Sequence, residues 1–165
     1  MFQVLDAVVH PFLGLCQIRD IRTEKFGDHP ELYYVLVPLK EKGSNLIYVP
    51  VDSEKIRLRK PLTKREIQSI LRSVASAEVE WQHNDKNRAE QFSLLLREGS
   101  HAQIIKMIAL LHQWKEERQK SGKKMPASDE RLLQEAQSMI HREFAYALDL
   151  DEPATVQYIM KRIAG

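Results

Sequence analysis

The spacing of apolar residues changes near residue 60, and this change limits the possible folds more than any other feature of the sequence. Before it, residues 15–21 alternate apolar and polar side chains, and residues 32–39 form a dense apolar run of leucine, tyrosine and valine with one proline. After it, apolar residues recur at the three- and four-residue intervals of amphipathic helices. The sequence therefore predicts an α+β protein, with a β domain at residues 1–60 and an all-α domain at residues 61–165.

Turn signals divide the first 60 residues into short strands. Residues 27–30 and 42–45 carry the Gly, Pro, Asn and Asp residues that favour turns. In the strand expected before the first of these turns, Cys16 and Ile18 occupy the same parity and are predicted to face the interior. Another strand is expected at 46–51. Four or five such strands predict a small, strongly bent sheet or barrel.

Capping signals divide the second half into about five helices. The predicted helix ends are the capping box of Thr63 and Glu66, Gly99 as a C′ glycine after a helix over 85–98, a second capping pattern at 100–103, Ser128 as the cap of a fourth helix, and Pro153 in the first turn of a fifth. The stripes predicted to be buried include Ile67, Ile70, Leu71, Val74, Ile104, Ile105, Ile108, Leu111, weakly His112, Leu132, Leu133, Ala136, Met139, Ile140, Ala147, Val156, Ile159, Met160 and Ile163.

The basic residues are concentrated in the middle of the chain. Residues 64–124 hold 12 Lys or Arg against 8 Asp or Glu, whereas residues 125–165 hold 4 against 7. A basic face is the usual footprint of phosphate contact, although a run of charge is more often a solvated helix face. The single cysteine excludes an internal disulfide, and the N-terminus does not resemble a signal peptide, so we expect a cytoplasmic protein.

The motifs of common enzymes are absent from the sequence. The six histidines lack the spacing of a metal pair, and the six glycines occur singly and not in a phosphate-binding loop. Cys16 is expected to be a buried, inert thiol, and residues 141–143 are expected at the surface. We therefore expect a binding protein without catalytic residues, metal or cofactor.

Trp81 lies in a polar stretch between two predicted helices, outside any apolar stripe. Two interpretations remain open. It fills the seam between the helices, as most tryptophans in such positions do. Alternatively, it is an exposed aromatic anchor that, with Lys86 and Arg88 nearby, stacks on bases or enters a base step while cations contact the flanking phosphates.

Several motifs, in a shared order along nearly the whole chain, resemble the CarD/CdnL family of bacterial transcription regulators, whose N-terminal module is shared with transcription-repair coupling factors. The motifs are the opening Phe2-x-Val4-x-Asp6-x-Val8-Val9-His10-Pro11-x-x-Gly14, Tyr33-Tyr34-Val35, Val49-Pro50-Val51, Leu58-Arg59-x-Pro61-Leu62, Trp81, Leu96-x-x-Gly99, Ser128-x-Glu130-Arg131-Leu132-Leu133-x-x-Ala136 and Glu143-x-Ala145.

The resemblance implies a Tudor-like β domain that binds the RNA polymerase β subunit through an exposed strand. It also implies a helical domain that contacts promoter DNA at the upstream edge of the transcription bubble, in the minor groove and largely independently of sequence, and so stabilises the open complex. A monomer associated with the nucleoid is expected, with no membrane contact. By position, the polymerase-binding residues are Leu46, Ile47, Tyr48, Val49 and Pro50, and the DNA-binding residues are Trp81, Lys86 and Arg131.

The sequence departs from the family at several charged positions. Tyr48 stands where some members carry a basic residue, and Ala109 and Gln137 fill positions that are often arginine. An alternative function is therefore a protein-only polymerase adaptor with weak or no DNA contact.

Overall fold

The computed structural model describes residues 1–39 and 45–164, which fall into two compact units, Met1–Pro61 and Leu62–Gly165. The first unit contains four strands, β1 (Ala7–His10), β2 (Gly14–Glu24), β3 (Glu31–Pro38) and β4 (Ile47–Pro50). The turn predicted at 27–30 connects β2 to β3. Most of the turn predicted at 42–45 lies outside the described residues.

The strands form one antiparallel sheet in the order β1-β2-β3-β4. Each strand pairs with its neighbour in sequence, so short turns suffice to build the sheet. A register shift between Ile18 and Asp20 places Arg19 in a β-bulge, which bends β2. On its outer side, β1 forms a bridge between Val9 and Arg59.

The core of this unit lies on one face of the sheet. Cys16 and Ile18 are fully buried, as their parity in the sequence predicted. Tyr34 is buried beside them, and its hydroxyl accepts a hydrogen bond from the backbone N–H of Phe2 at 3.0 Å. Val8, Leu36 and Val49 complete the cluster. The N-terminal segment is therefore attached to β3 by this hydrogen bond and by the edge-to-face contact between the Phe2 and Tyr34 rings.

Five helices follow: α1 (Lys64–Ser73), α2 (Asp85–Glu98), α3 (His101–Lys120), α4 (Ala127–Leu148) and α5 (Glu152–Ala164). The capping box of Thr63 and Glu66 begins α1, and an equivalent box of Ser100 and Gln103 begins α3, both as predicted. Four orphan N–H groups begin every helix, and these side chains satisfy some of them. The predicted α+β class is confirmed, and the β unit is consistent with a Tudor-like domain.

Two predicted helix ends differ from the structure. Gly99 does end α2, but its backbone is extended (φ −74°, ψ 161°), not left-handed. Glycine is needed there because a Cβ atom would lie 2.5 Å from the Leu95 carbonyl oxygen. Ser128 is not the cap of α4, which begins one residue earlier, after Pro126 and without a side-chain cap.

The helical core follows most of the predicted stripes. Its buried members include Ile67, Leu71, Val74, Ile104, Ile105, Ile108, Leu111, Leu132, Leu133, Ala136, Ile140 and Ile159. The predicted burial of Met139, Met160 and His112 was wrong, because these side chains are exposed. The predicted surface position of residues 141–143 was wrong for Glu143, which is buried and accepts a hydrogen bond from the Leu62 N–H at 3.0 Å.

Within residues 1–39 and 45–164, no helix has the length and apolar composition required to cross a bilayer.

Candidate interaction sites

The strand β4 is the last strand of the sheet, and no other described strand pairs with its outer side. Its register aligns Val49 with Tyr34 and Tyr48 with Val35. The Val51 N–H donates to the Leu32 carbonyl at 2.9 Å, which identifies that pair as hydrogen-bonded. Because hydrogen-bonded pairs alternate along an antiparallel ladder, Val49 bonds to β3 and the peptide groups of Tyr48 point to the open edge.

The backbone groups of Pro50 point to the same open edge as those of Tyr48, since Pro50 lies two residues further along β4. Proline has no backbone N–H, so it interrupts no ladder bond there. The open edge of β4 therefore offers the N–H and C=O of Tyr48, whereas the C=O of Pro50 already accepts a hydrogen bond from the Ser53 N–H at 3.0 Å. Of the other residues predicted to bind the polymerase, Val49 is buried, Ile47 is half-buried, and Leu46 is exposed just before the strand.

Three aromatic rings lie together beside this edge. Phe26, in the turn after β2, lies 5.1 Å from the Tyr33 ring and 5.0 Å from the Tyr48 ring, and both pairs meet edge to face. Phe26 is nonetheless 61% exposed. The cluster of Phe26, Tyr33 and Tyr48 gives the edge an accessible aromatic surface, and aromatic residues are common at protein interfaces.

Arg22 connects the aromatic cluster to nearby carboxylates. Its guanidinium lies 5.4 Å from the centre of the Tyr48 ring and donates to the Tyr48 hydroxyl. It also forms ion pairs with Glu24 at 2.9 Å and Asp20 at 3.5 Å. Each of these contacts is partly exposed and contributes little stability alone, but together they orient Tyr48.

Trp81 occupies the seam between helices of the second unit. Its ring lies 5.8 Å from Phe92 and 5.6 Å from Trp114, and it packs against the helical core. The side chain is half-buried, so one part of the ring is covered by the core while another part remains accessible. The structure thus combines features of both interpretations that the sequence left open.

Arg88 lies between the two tryptophans and is fully buried. Its guanidinium carbon is 4.9 Å from the Trp81 ring centre and 5.2 Å from that of Trp114. Its Nε and Nη2 atoms donate to the two carboxylate oxygens of Asp129 at 3.1 and 2.6 Å, and Nη2 also donates to Asp85 at 2.7 Å. Burial opposes the charge, but these hydrogen bonds outweigh it and raise the pKa of Arg88.

Lys86 and Arg131 are both exposed and both lie near helix N-termini. Lys86 is the second residue of α2, and Arg131 is the fifth residue of α4. The buried pair of Arg88 and Asp129 connects these two helix starts. Helix N-termini favour anions, so the position of the two cations suits phosphate groups.

His10 is the last residue of β1, just before the turn to β2. Its Nδ1 atom accepts hydrogen bonds from the N–H groups of Phe12 and Leu13, each at 3.1 Å. A ring nitrogen that accepts carries no proton, so the side chain is neutral in this arrangement. Burial lowers the pKa of His10, in agreement with that state.

Arg22 and Phe26, which contact Tyr48, and Asp129, which binds Arg88, could not be singled out from the sequence. The alternation of β2 gave no reason to single out Arg22, and Phe26 lies in a turn where an aromatic residue has no periodic partner. Asp129 is 41 residues from Arg88, a separation at which no local spacing rule applies.

Within the described ranges, no group of three His, Cys, Asp or Glu side chains is arranged to hold a metal ion.

Residues 2–62 match the family described as the CarD-like/TRCF RID domain. A search of curated proteins found no match to the chain. The matched range covers the whole strand-bearing unit, including the open edge of β4. The match therefore assigns residues 2–62 to a CarD-like/TRCF RNA polymerase-interacting domain, and with it a role in transcription through contact with RNA polymerase.

Proposed function

We propose that the chain is a transcription regulator of the CarD/CdnL type that binds the β subunit of RNA polymerase through β4. The observation that carries this proposal is the open edge of β4 within the domain that matches polymerase-interacting proteins. An exposed edge binds an extended segment by strand addition, in which backbone hydrogen bonds give affinity and side-chain contacts give specificity. The aromatic cluster beside Tyr48 supplies such contacts.

The helical unit, we further propose, contacts promoter DNA at the upstream edge of the bubble and stabilises the open complex. Trp81 is the residue that meets the bases, and Lys86 and Arg131 meet phosphates. Three features support this: the partly exposed side chain of Trp81, the two exposed cations, and the buried pair that joins their helices. The chain would act by binding and not by catalysis, as a monomer at the nucleoid, with little dependence on DNA sequence.

A protein-only polymerase adaptor is the second candidate. The observation in its favour is that Trp81 packs against Phe92 and Trp114, so only part of its ring is available to DNA. The Ala109 and Gln137 side chains also replace cations expected on a DNA-binding helical domain of this family.

Two binding measurements test these proposals. The full chain is titrated against core RNA polymerase, and separately against a forked promoter duplex at several salt concentrations. Regulator function predicts saturable binding to both. The logarithm of the DNA association constant should fall linearly with the logarithm of the salt concentration. Binding to polymerase with no salt-dependent DNA binding identifies the adaptor, and absence of polymerase binding contradicts both candidates.

A further inference from the structure

The backbone that precedes Trp81 is held by side chains of α3. Lys106 Nζ lies 2.6 Å from the carbonyl oxygen of Ala77, and Gln103 Nε2 lies 3.2 Å from that of Glu78. These carbonyls lie after the end of α1, where no helical N–H group is available to them. The segment that carries Trp81 is therefore fixed to the core on its N-terminal side.

Arg88 holds the same segment on its C-terminal side. Its Nη1 atom donates to the Gln82 carbonyl at 3.0 Å, while its guanidinium carbon lies over the Trp81 ring. Asp129 binds the guanidinium through two oxygens and also accepts from Trp114 Nε1 at 3.1 Å. A single cation thus contacts both the Trp81 ring and the backbone of the next residue, Gln82.

We propose that Arg88 is a positioning residue for DNA contact: it fixes the Trp81 ring in one orientation, so that the exposed part of the ring meets a base pair without prior ordering. The inference rests on the proposed function of Trp81. A side chain ordered before binding avoids the entropy lost when a mobile ring is immobilised, so preorganisation increases the lifetime of the complex.

The chemistry of arginine suits this role, whereas a phosphate-binding role does not fit. The guanidinium forks onto a carboxylate through two parallel bonds and stacks on aromatic rings, and lysine can do neither in the same geometry. Because Arg88 is fully buried, it is not available to phosphate oxygens. Its loss should therefore change complex lifetime without changing the salt dependence of DNA binding.

The experiment compares Arg88→Lys with Arg118→Lys in the full chain. Arg118 is a matched control, because its guanidinium also lies against an indole, 5.2 Å from the centre of the Trp114 ring, and donates to the Lys124 carbonyl. Both proteins and the wild type are labelled with 5-fluorotryptophan, and the Trp81 ¹⁹F resonance is assigned with Trp81→Phe. The lifetime of the open complex with RNA polymerase and the salt slope of DNA binding are then measured well below the melting temperature.

The expected result is a shifted or broadened Trp81 resonance in Arg88→Lys, an unchanged salt slope, and an open-complex lifetime shorter by up to about tenfold, the loss expected for one base-stacking contact. Arg118→Lys should match the wild type in all three. A normal lifetime in folded Arg88→Lys with an altered Trp81 resonance, or a salt slope lower by about one phosphate, would overturn the proposal.

A second variant covers the case in which Arg88→Lys does not fold. Trp114→Phe removes part of the other ring against Arg88 and leaves Trp81 as the single tryptophan. It should also shorten the lifetime, with Trp81 fluorescence anisotropy lowered, and a normal lifetime would again reject the proposal. If Trp81→Ala leaves the lifetime unchanged, the proposed DNA function fails, while the resonance of Trp81 still reports whether Arg88 fixes the ring.

Discussion

Replacing Tyr48 with proline removes the only backbone amide that β4 presents to its open edge. The internal ladder keeps all its donors, because Val49 and not Tyr48 bonds to β3. Tyr48→Ala is the matched control, since it loses the same aromatic side chain and keeps the amide. The difference between the two variants therefore measures a single intermolecular hydrogen bond.

That bond should contribute about 0.5–1.5 kcal/mol, the net value of a typical protein hydrogen bond. If β4 pairs with a polymerase strand, Tyr48→Pro should bind core RNA polymerase about 2- to 12-fold more weakly than Tyr48→Ala. Fluorescence anisotropy of the labelled full chain, titrated with core enzyme, resolves this difference. Circular dichroism melting provides the check that both variants are folded.

Val49→Pro provides the opposite case. Its amide faces the buried residue Tyr34, so the substitution leaves a buried carbonyl without a donor, at a cost of about 1–3 kcal/mol in the free energy of unfolding. It should lower the melting temperature of the β unit more than Tyr48→Pro does.

Equal polymerase affinity for folded Tyr48→Pro and Tyr48→Ala would refute strand addition at β4.

Four further predictions concern other parts of the chain. Trp81→Ala should lower the free energy of unfolding by about 2–3 kcal/mol, because the contacts of the half-buried ring with the core are lost. It should also shorten the open-complex lifetime about tenfold. A loss of stability with an unchanged lifetime would leave Trp81 with a packing role only. Lys86→Ala and Arg131→Ala should each reduce the salt slope of DNA binding by about one phosphate, and an unchanged slope would remove that residue from the interface. Burial lowers the pKa of His10, so the unfolded chain binds more protons than the folded chain below pH ~6.5, and the β unit should lose stability as pH falls from there toward the lowered pKa. His10→Asn should flatten this part of the plot of unfolding free energy against pH. Parallel plots for the variant and the wild type would contradict the argument. Residues 61–165 alone should give a helical circular dichroism spectrum and melt cooperatively, whereas a disordered spectrum would argue against an independent helical domain.

Local features of the structure were predictable because their causes are local. The capping boxes of α1 and α3 each involve residues three apart, which sequence spacing reveals directly. The inner face of β2 follows from alternation, since Cys16 and Ile18 share one parity. In each case the residues that interact are close enough in sequence to form a recognisable pattern.

The remaining features depend on distant parts of the chain. The burial of Glu143 requires the Leu62 amide, 81 residues away, and a charge with no visible partner in sequence is naturally placed at the surface. Met139 and Met160 lie at the margins of apolar stripes, where periodicity gives the direction of a buried face but not its width. Trp81 likewise depends on distant residues, because its half-buried position is set by side chains of α2 and α3.

Pro50 has a further consequence for the behaviour of the protein at high concentration. Exposed strand edges tend to pair with identical edges, and natural sheets limit this tendency with short edge strands and prolines. The four-residue β4 presents a single outward amide, so two copies placed edge to edge could exchange few backbone hydrogen bonds. The short strand and the proline therefore limit the backbone hydrogen bonds that a second copy of the chain could form at this edge.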